Sequence, residues 1–206
     1  MSNSDAWKRF HDSMVMDFEK WHDGTGYDLE AFDELTPEEK ESVLSGIRSK
    51  SDRDWRDVEL LEREGSVDSI RAIQQNLAGS SIDTHSAALE ALIDRGELSD
   101  ELIDEKLAPL LGHTAPFDAL DRCLRLAEEH PGPKVKVALL RNTRRRPEVG
   151  VHFAALLFYQ AGLAKEAFDW DHRPFFLKFG TDVPRQEQEA AFSELCRLVG
   201  VDEADV

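Results

Sequence analysis

The chain has 206 residues, 41% of them hydrophobic, which is enough to bury a sizeable core in one or two domains without a disulfide or metal staple. Its formal net charge is −17 and unevenly spread: residues 1–110 hold 27 acids against 12 lysines and arginines (−15), residues 111–206 hold 15 against 13 (−2). Such a field repels nucleic-acid phosphates and attracts basic partners, the apolar runs are too short to span a bilayer, and Met1-Ser2-Asn3-Ser4-Asp5 lacks the basic and apolar regions of a secretion signal.

Residues 5–22 carry Trp7, Phe10, Met14, Phe18 and Trp21 at spacings of three and four, which predicts one amphipathic helix ended by Asp23-Gly24-Thr25-Gly26. Tyr27 to Leu35 reads as an acidic connector anchored by Leu29, Phe32 and Leu35. Thr36-Pro37-Glu38-Glu39 is a helix start: Thr caps, Pro fits the first turn, and Glu39 reaches back to the cap amide. That helix runs to about Lys50. Gly65, Gly79, Gly96 and Gly112 then recur, each able to supply a left-handed turn after a short helix. The helices are expected at 54–64, 67–78, 83–95 and 100–111. Their buried sets are Trp55, Val58 and Leu61; Ile70, Ile73 and Leu77; Ala88, Leu89, Leu92 and Ile93; and Ile103, Leu107, Leu110 and Leu111.

The pattern continues with helices at 117–129, 134–145 and 149–161, separated by Pro131-Gly132-Pro133 and Pro147. Phe153 to Phe158 are all apolar, so this last helix must lie between neighbours on several sides. An aromatic string, Phe168 to Phe179, reads as a loop with a single turn. Asp182-Val183-Pro184 opens a final helix with Phe192, Leu195, Cys196 and Val199 on one face, and 201–206 reads as a frayed acidic tail. No segment alternates long enough to argue a strand. Cys123 and Cys196 sit in apolar helical patterns without a C-x-x-C pair, as reduced core thiols of a cytoplasmic protein do.

His85-Ser86-Ala87-Ala88-Leu89 with Gly96 is echoed by His152-Phe153-Ala154-Ala155-Leu156 with Gly162, 67 residues later. The Ala-Ala-rich inner helix and the unit of about 33 residues resemble HEAT-type α-solenoid repeats. That resemblance implies an all-α fold: a short right-handed stack of helix pairs in one domain, 1–206. An N-terminal helical segment (1–50) precedes a repeat core (51–162), and an aromatic loop and capping helix (163–206) follow. The block around Phe168 to Phe179 is similar to one in small bacterial HEAT-like proteins, some of which resemble immunity proteins of toxin systems.

Asp169, Asp171, His172 and Arg173 are the one close grouping of acid, imidazole and guanidinium beside aromatics, and could do acid–base work. The block lacks a nucleophile, a glycine-rich cradle or a second ligand pair, so it reads as a plug in which Trp170, Phe175 and Phe176 close the stack. The histidines form no H-x-x-x-H or H-E-x-x-H pair, and His85 and His152 occupy equivalent repeat positions. No metal, cofactor or catalytic residue is assigned. Lys134, Lys136, Arg141, Arg144, Arg145 and Arg146 form a run with no acid between Pro133 and Pro147, and it reads as a partner for the acidic half or a solvated face.

The expectation is a protein-binding module, most concretely an immunity protein that occludes a basic toxin domain. Its contributors would be Glu30, Asp33, Glu34, Glu38, Glu39, Asp52, Asp54, Asp57 and Glu59, with Trp55 and Trp170 as aromatic anchors. The alternatives are an enzyme using Asp169 to Arg173, on nucleic acid for example, and a passive scaffold.

Overall fold

The structure is a computed structural model that describes residues 4–78, 81–116 and 118–206, apart from the side chain of Trp21. The expectations placed on Met1 to Asn3, Gly79, Phe117 and the Trp21 ring lie outside the described residues. All regular structure among the described residues is helical; the only β-type pairing there is isolated bridging of Ala115 with Asp118 and Ala119. The chain divides into two compact units, Met1–Arg95 and Gly96–Val206.

The N-terminal unit contains α1 (Asp5–Met14), α2 (Phe18–His22), α3 (Leu29–Asp33), α4 (Pro37–Ser49), α5 (Trp55–Glu64), α6 (Val67–Gln75) and α7 (Ile82–Asp94). Here α1 packs on α3, α4 on α6, and α5, α6 and α7 on one another. The capping box of α4 forms as the sequence requires: Thr36 Oγ1 accepts the Glu39 amide at 3.3 Å and Glu39 Oε2 accepts the Thr36 amide at 3.0 Å. Asp54 and Asp57 build a second box at α5, and Gly65 ends that helix with φ +71°.

Two expectations for this unit are corrected. The single helix over 5–22 is broken, because Val15 turns extended and Asp17 Oδ1 caps a new helix by accepting the Lys20 amide at 2.8 Å. Lys20 Nζ then donates to the carbonyls of Asp12 and Val15, both at 2.8 Å, satisfying orphan acceptors at the end of α1. Phe10 is buried, but Phe18 is 74% exposed. The acidic connector also contains a helical turn, α3, capped by Asp28 on the Ala31 amide. Within the expected core sets, Trp55, Leu77 and Ile93 are half-buried.

The C-terminal unit contains α8 (Asp100–Leu111), α9 (Leu120–Glu129), α10 (Pro133–Arg145), α11 (Pro147–Gln160), α12 (Arg173–Phe176) and α13 (Arg185–Leu198). As its apolar run demands, α11 is buried from Phe153 to Phe158, and it packs against α9, α10, α12 and α13. Gly150 lets it approach closely: an added Cβ would lie 2.9 Å from the Phe179 carbonyl and 3.0 Å from that of Thr143. Ala88 in α7 and Ala155 in α11 are both fully buried.

Here too the sequence expectations need correction. Gly112 has φ −76°, so α8 leaves without a left-handed turn, its last carbonyls taken by the amides of Gly112, His113 and Thr114. Pro133 and Pro147 open helices, where a missing N–H costs nothing. The aromatic string is three successive turns, with 3₁₀ segments Trp170–His172 and Leu177–Phe179 flanking α12. Residues 201–206 do not fray, because Glu203 accepts from Ser193 Oγ at 2.8 Å and pairs with Arg144 at 3.2 Å. The histidine echo differs in environment: His85 is half-buried, whereas His152 is exposed beside Phe168.

Candidate functional site

In the N-terminal unit, with 22 acids against 11 lysines and arginines (−11), the proposed contact residues fall into three sets. Asp57 is 1% exposed and belongs to the interior. Its carboxylate accepts from Lys50 Nζ at 2.8 Å, from Tyr27 Oη at 2.8 Å and from the Asp54 amide at 3.0 Å. Burial, then the Asp57 and Asp54 charges, raise the Tyr27 hydroxyl well above its ordinary range. Asp54 is held by Arg56 Nη2 at 2.6 Å, and that guanidinium lies 4.9 Å from the Tyr27 ring. Burial opposes ionisation of Asp54, but the Arg56 hydrogen bond and the helix-start amides outweigh it and lower its pKa. Asp54 and Asp57 therefore organise α5; Asp57 is withdrawn into the interior, whereas the Asp54 side chain stays partly exposed beside Arg56.

A second set is committed at the surface. Asp33 pairs with Arg63, whose hydrogen bond lowers the carboxyl pKa, and Glu34 pairs with Arg9 at 3.1 Å. Glu39 completes the α4 cap, accepts from Ser4 Oγ at 3.1 Å, and is held below the ordinary carboxylate range by the Thr36 amide. Glu59 and Trp55 are half-buried against Gly26, where an added Cβ would meet Glu59 Oε2 at 2.8 Å. Only Glu30, Glu38 and Asp52 are exposed and form no ion pair among the described residues.

Sequence reasoning missed an exposed apolar segment beside these acids. Val15 is 64%, Met16 38% and Phe18 74% exposed, with Asp12, Asp17, Glu19 and Asp23 close in sequence and all exposed. The signal was present in Met14-Val15-Met16: three consecutive apolar residues cannot share one helical stripe, so at least one must face outward. A second missed feature is Glu62, whose carboxyl is pushed up by burial and by the nearby charges of Asp94 and Glu90.

The Asp169–Arg173 block of the C-terminal unit is spent on local structure. Asp169 accepts the amides of Asp171 at 3.0 Å and Lys165 at 3.2 Å, which lower its pKa. The His172 ring packs on Phe158 at 5.1 Å, and Arg173 stacks on Trp170 at 4.9 Å. Phe176 and Phe179 fill the interior, while Trp170 is 68% exposed. The expected plug thus omits Trp170, which is exposed against Arg173.

No protein-family model, curated protein or solved structure matches the chain. What the fold defines directly is an all-α protein without, among the described residues, a helix long and apolar enough to cross a membrane.

Proposed function

We propose that the chain is a cytoplasmic protein-binding module of HEAT-like helix pairs that captures a basic partner through its N-terminal unit. The carrying observation is the exposed Val15, Met16 and Phe18 among acids, in a unit of net charge −11. Exposed apolar side chains flanked in sequence by acids suit an interface with an apolar core and a charged rim, and the field speeds encounter with a cationic surface. Glu30, Glu38 and Asp52 are the acids left for steering, and Phe18 is the aromatic anchor. The most concrete partner is a basic toxin domain held in an occluded state, and no catalytic role is assigned to Asp169, Asp171 or His172.

The test is capture of the partner from the native host, followed by association kinetics against ionic strength. Replacing Glu30, Glu38 and Asp52 together with lysine should slow association and flatten its salt dependence, while Phe18→Ala should mainly speed dissociation. If the partner is a toxin, its expression should arrest growth unless this chain is co-expressed. An on-rate insensitive to both salt and the three reversals, with dissociation unchanged by Phe18→Ala, would remove the N-terminal unit as the recognition surface.

A further inference from the structure

We propose that the C-terminal unit holds a site for the phosphoryl group of a small ligand, in the cavity between the end of α10 and the start of α13. This cavity has a volume of about 520 Å³ and is lined by Arg141, Arg144, Arg145, Arg185, Gln188 and Glu189. Volumes of a few hundred cubic ångströms suit small ligands. Arg141, Arg144 and Arg145 share one face at i, i+3 and i+4, and the first turn of α13 brings a fourth guanidinium to the same space.

The four arginines are not equally occupied. Arg144 is fixed by Glu189 at 2.7 Å, by Glu203 at 3.2 Å and by stacking 4.9 Å from the centre of the Phe192 ring. It forms a rigid floor. Arg185 is only loosely tied to Glu189, at 3.7 Å, and its side chain is 89% exposed. Arg141 and Arg145 meet no Asp or Glu among the described residues, although Arg141 Nε donates to an oxygen of Val206 at 3.4 Å. In a chain with 42 acids and 25 lysines and arginines, a concave site where four guanidiniums face the single lining acidic side chain, Glu189, keeps an excess of positive charge and marks a place for an external anion.

The helix dipoles sharpen the inference. Arg144 and Arg145 stand at the C-terminal end of α10, where positive charge is favoured. Arg185, however, opens the fourteen-residue α13, at the positive end of its dipole, and that helix has no side-chain cap on its first amides. The helix dipole disfavours an arginine there, and an anion in the cavity would relieve that repulsion. Guanidinium forks match phosphoryl oxygens in bidentate pairs, so a doubly charged group is preferred to a single carboxylate. One cavity in a chain of charge −17 makes too few phosphate contacts for an extended nucleic acid.

The experiment titrates the full chain with inorganic phosphate and with pyrophosphate at constant ionic strength, by amide chemical shifts and by melting temperature. Saturable shifts confined to the ends of α10 and α13, and a rise in melting temperature, are expected. Arg141→Gln with Arg145→Gln should weaken pyrophosphate binding by about tenfold or more while the circular dichroism spectrum is unchanged. Arg71→Gln, an exposed residue of the N-terminal unit, should leave binding as it was. Three results would each overturn the proposal: no saturable binding, equal binding by the double variant, or oligonucleotides binding more tightly as they lengthen.

Discussion

The two units use polar side chains in different ways. In the N-terminal unit, helix ends are closed by residues adjacent in sequence: Ser4, Asp28, Thr36, Asp54, Ser66 and Ser81 each accept an amide of the helix they precede. Buried Arg53 ties loops to helices by donating to the carbonyls of Arg48 at 2.9 Å and Lys50 at 2.7 Å and to Asn76 Oδ1 at 3.2 Å. In the C-terminal unit Ser99 caps α8 in the same way, but α9, α10, α11 and α13 have no local side-chain cap. Instead Asp104 reaches from α8 to the start of α10, accepting the amides of Lys134 at 3.1 Å and Val135 at 2.8 Å. Aromatic rings at 168–179 and the close approach at Gly150 do the rest. Local side-chain caps thus close most helix starts in the first unit, while the second relies more on contacts between distant segments to position its helices.

The comparison is broken most severely at Asp57. Asp57→Ala leaves Lys50, the Tyr27 hydroxyl and the Asp54 amide without their acceptor; Lys50 is partly exposed and can be solvated, so the loss is that of the buried polar partners, about 2–3 kcal/mol. Urea denaturation should register that loss; less than about 1 kcal/mol would mean that the network is incidental. In the C-terminal unit the equivalent blows are steric. Gly150→Ala forces α11 away from two carbonyls, and Ala155→Leu overpacks a fully buried position, each at about 1–3 kcal/mol. A melting temperature unchanged by both would show that this unit is loosely packed.

Asp104→Ala tests the long-range cap, with an expected cost of about 1–2 kcal/mol, because two amides at the start of α10 lose their acceptor. Its companion is Gly132→Ala, whose new Cβ would collide with the Asp104 carboxylate although the backbone there, at φ −100°, suits any residue. Should Gly132→Ala be harmless while Asp104→Ala is costly, the carboxylate has room to move and the glycine is not required by space.

Acid sharpens the contrast further. Asp33, Glu39, Asp54 and Glu64 have lowered pKa values, so their stabilisation is complete above the ordinary carboxylate range and is lost as pH falls through the folded values. Only Asp169 is so depressed in the C-terminal unit among the described residues. Hydrogen exchange on acidification should therefore accelerate first in residues 4–95, and simultaneous loss of protection in both units would contradict this. Glu62 runs the other way: its raised pKa removes stability as pH climbs past the ordinary value of 4.5. Glu62→Gln should raise the melting temperature modestly at pH 7, and that gain should vanish near pH 4; a gain independent of pH would assign the effect to packing.

Much of the helical order was legible. The Thr36–Glu39 box, the Asp54 start, the left-handed Gly65 and the buried run Phe153 to Phe158 depend on neighbours within a few residues, which the sequence displays. The recognition surface was less legible. Acid count alone offered Asp57 as a contact, but its carboxylate is buried among Lys50, the Tyr27 hydroxyl and the Asp54 amide. Phe18 and Trp170 fit apolar patterns, yet both are exposed, each beside a new helical start at Asp17 or Asp169.

By itself, then, the sequence determined the all-helical character, most helix starts and the acidic field, because periodicity, capping and net charge are properties of short segments or of simple sums. Only the tertiary structure decided which charges are spent, which aromatics are exposed, and that Arg141, Arg144, Arg145 and Arg185 line one cavity. Those outcomes depend on side chains tens of residues apart competing for the same partners and the same buried volume, as Asp104 and the start of α10 do.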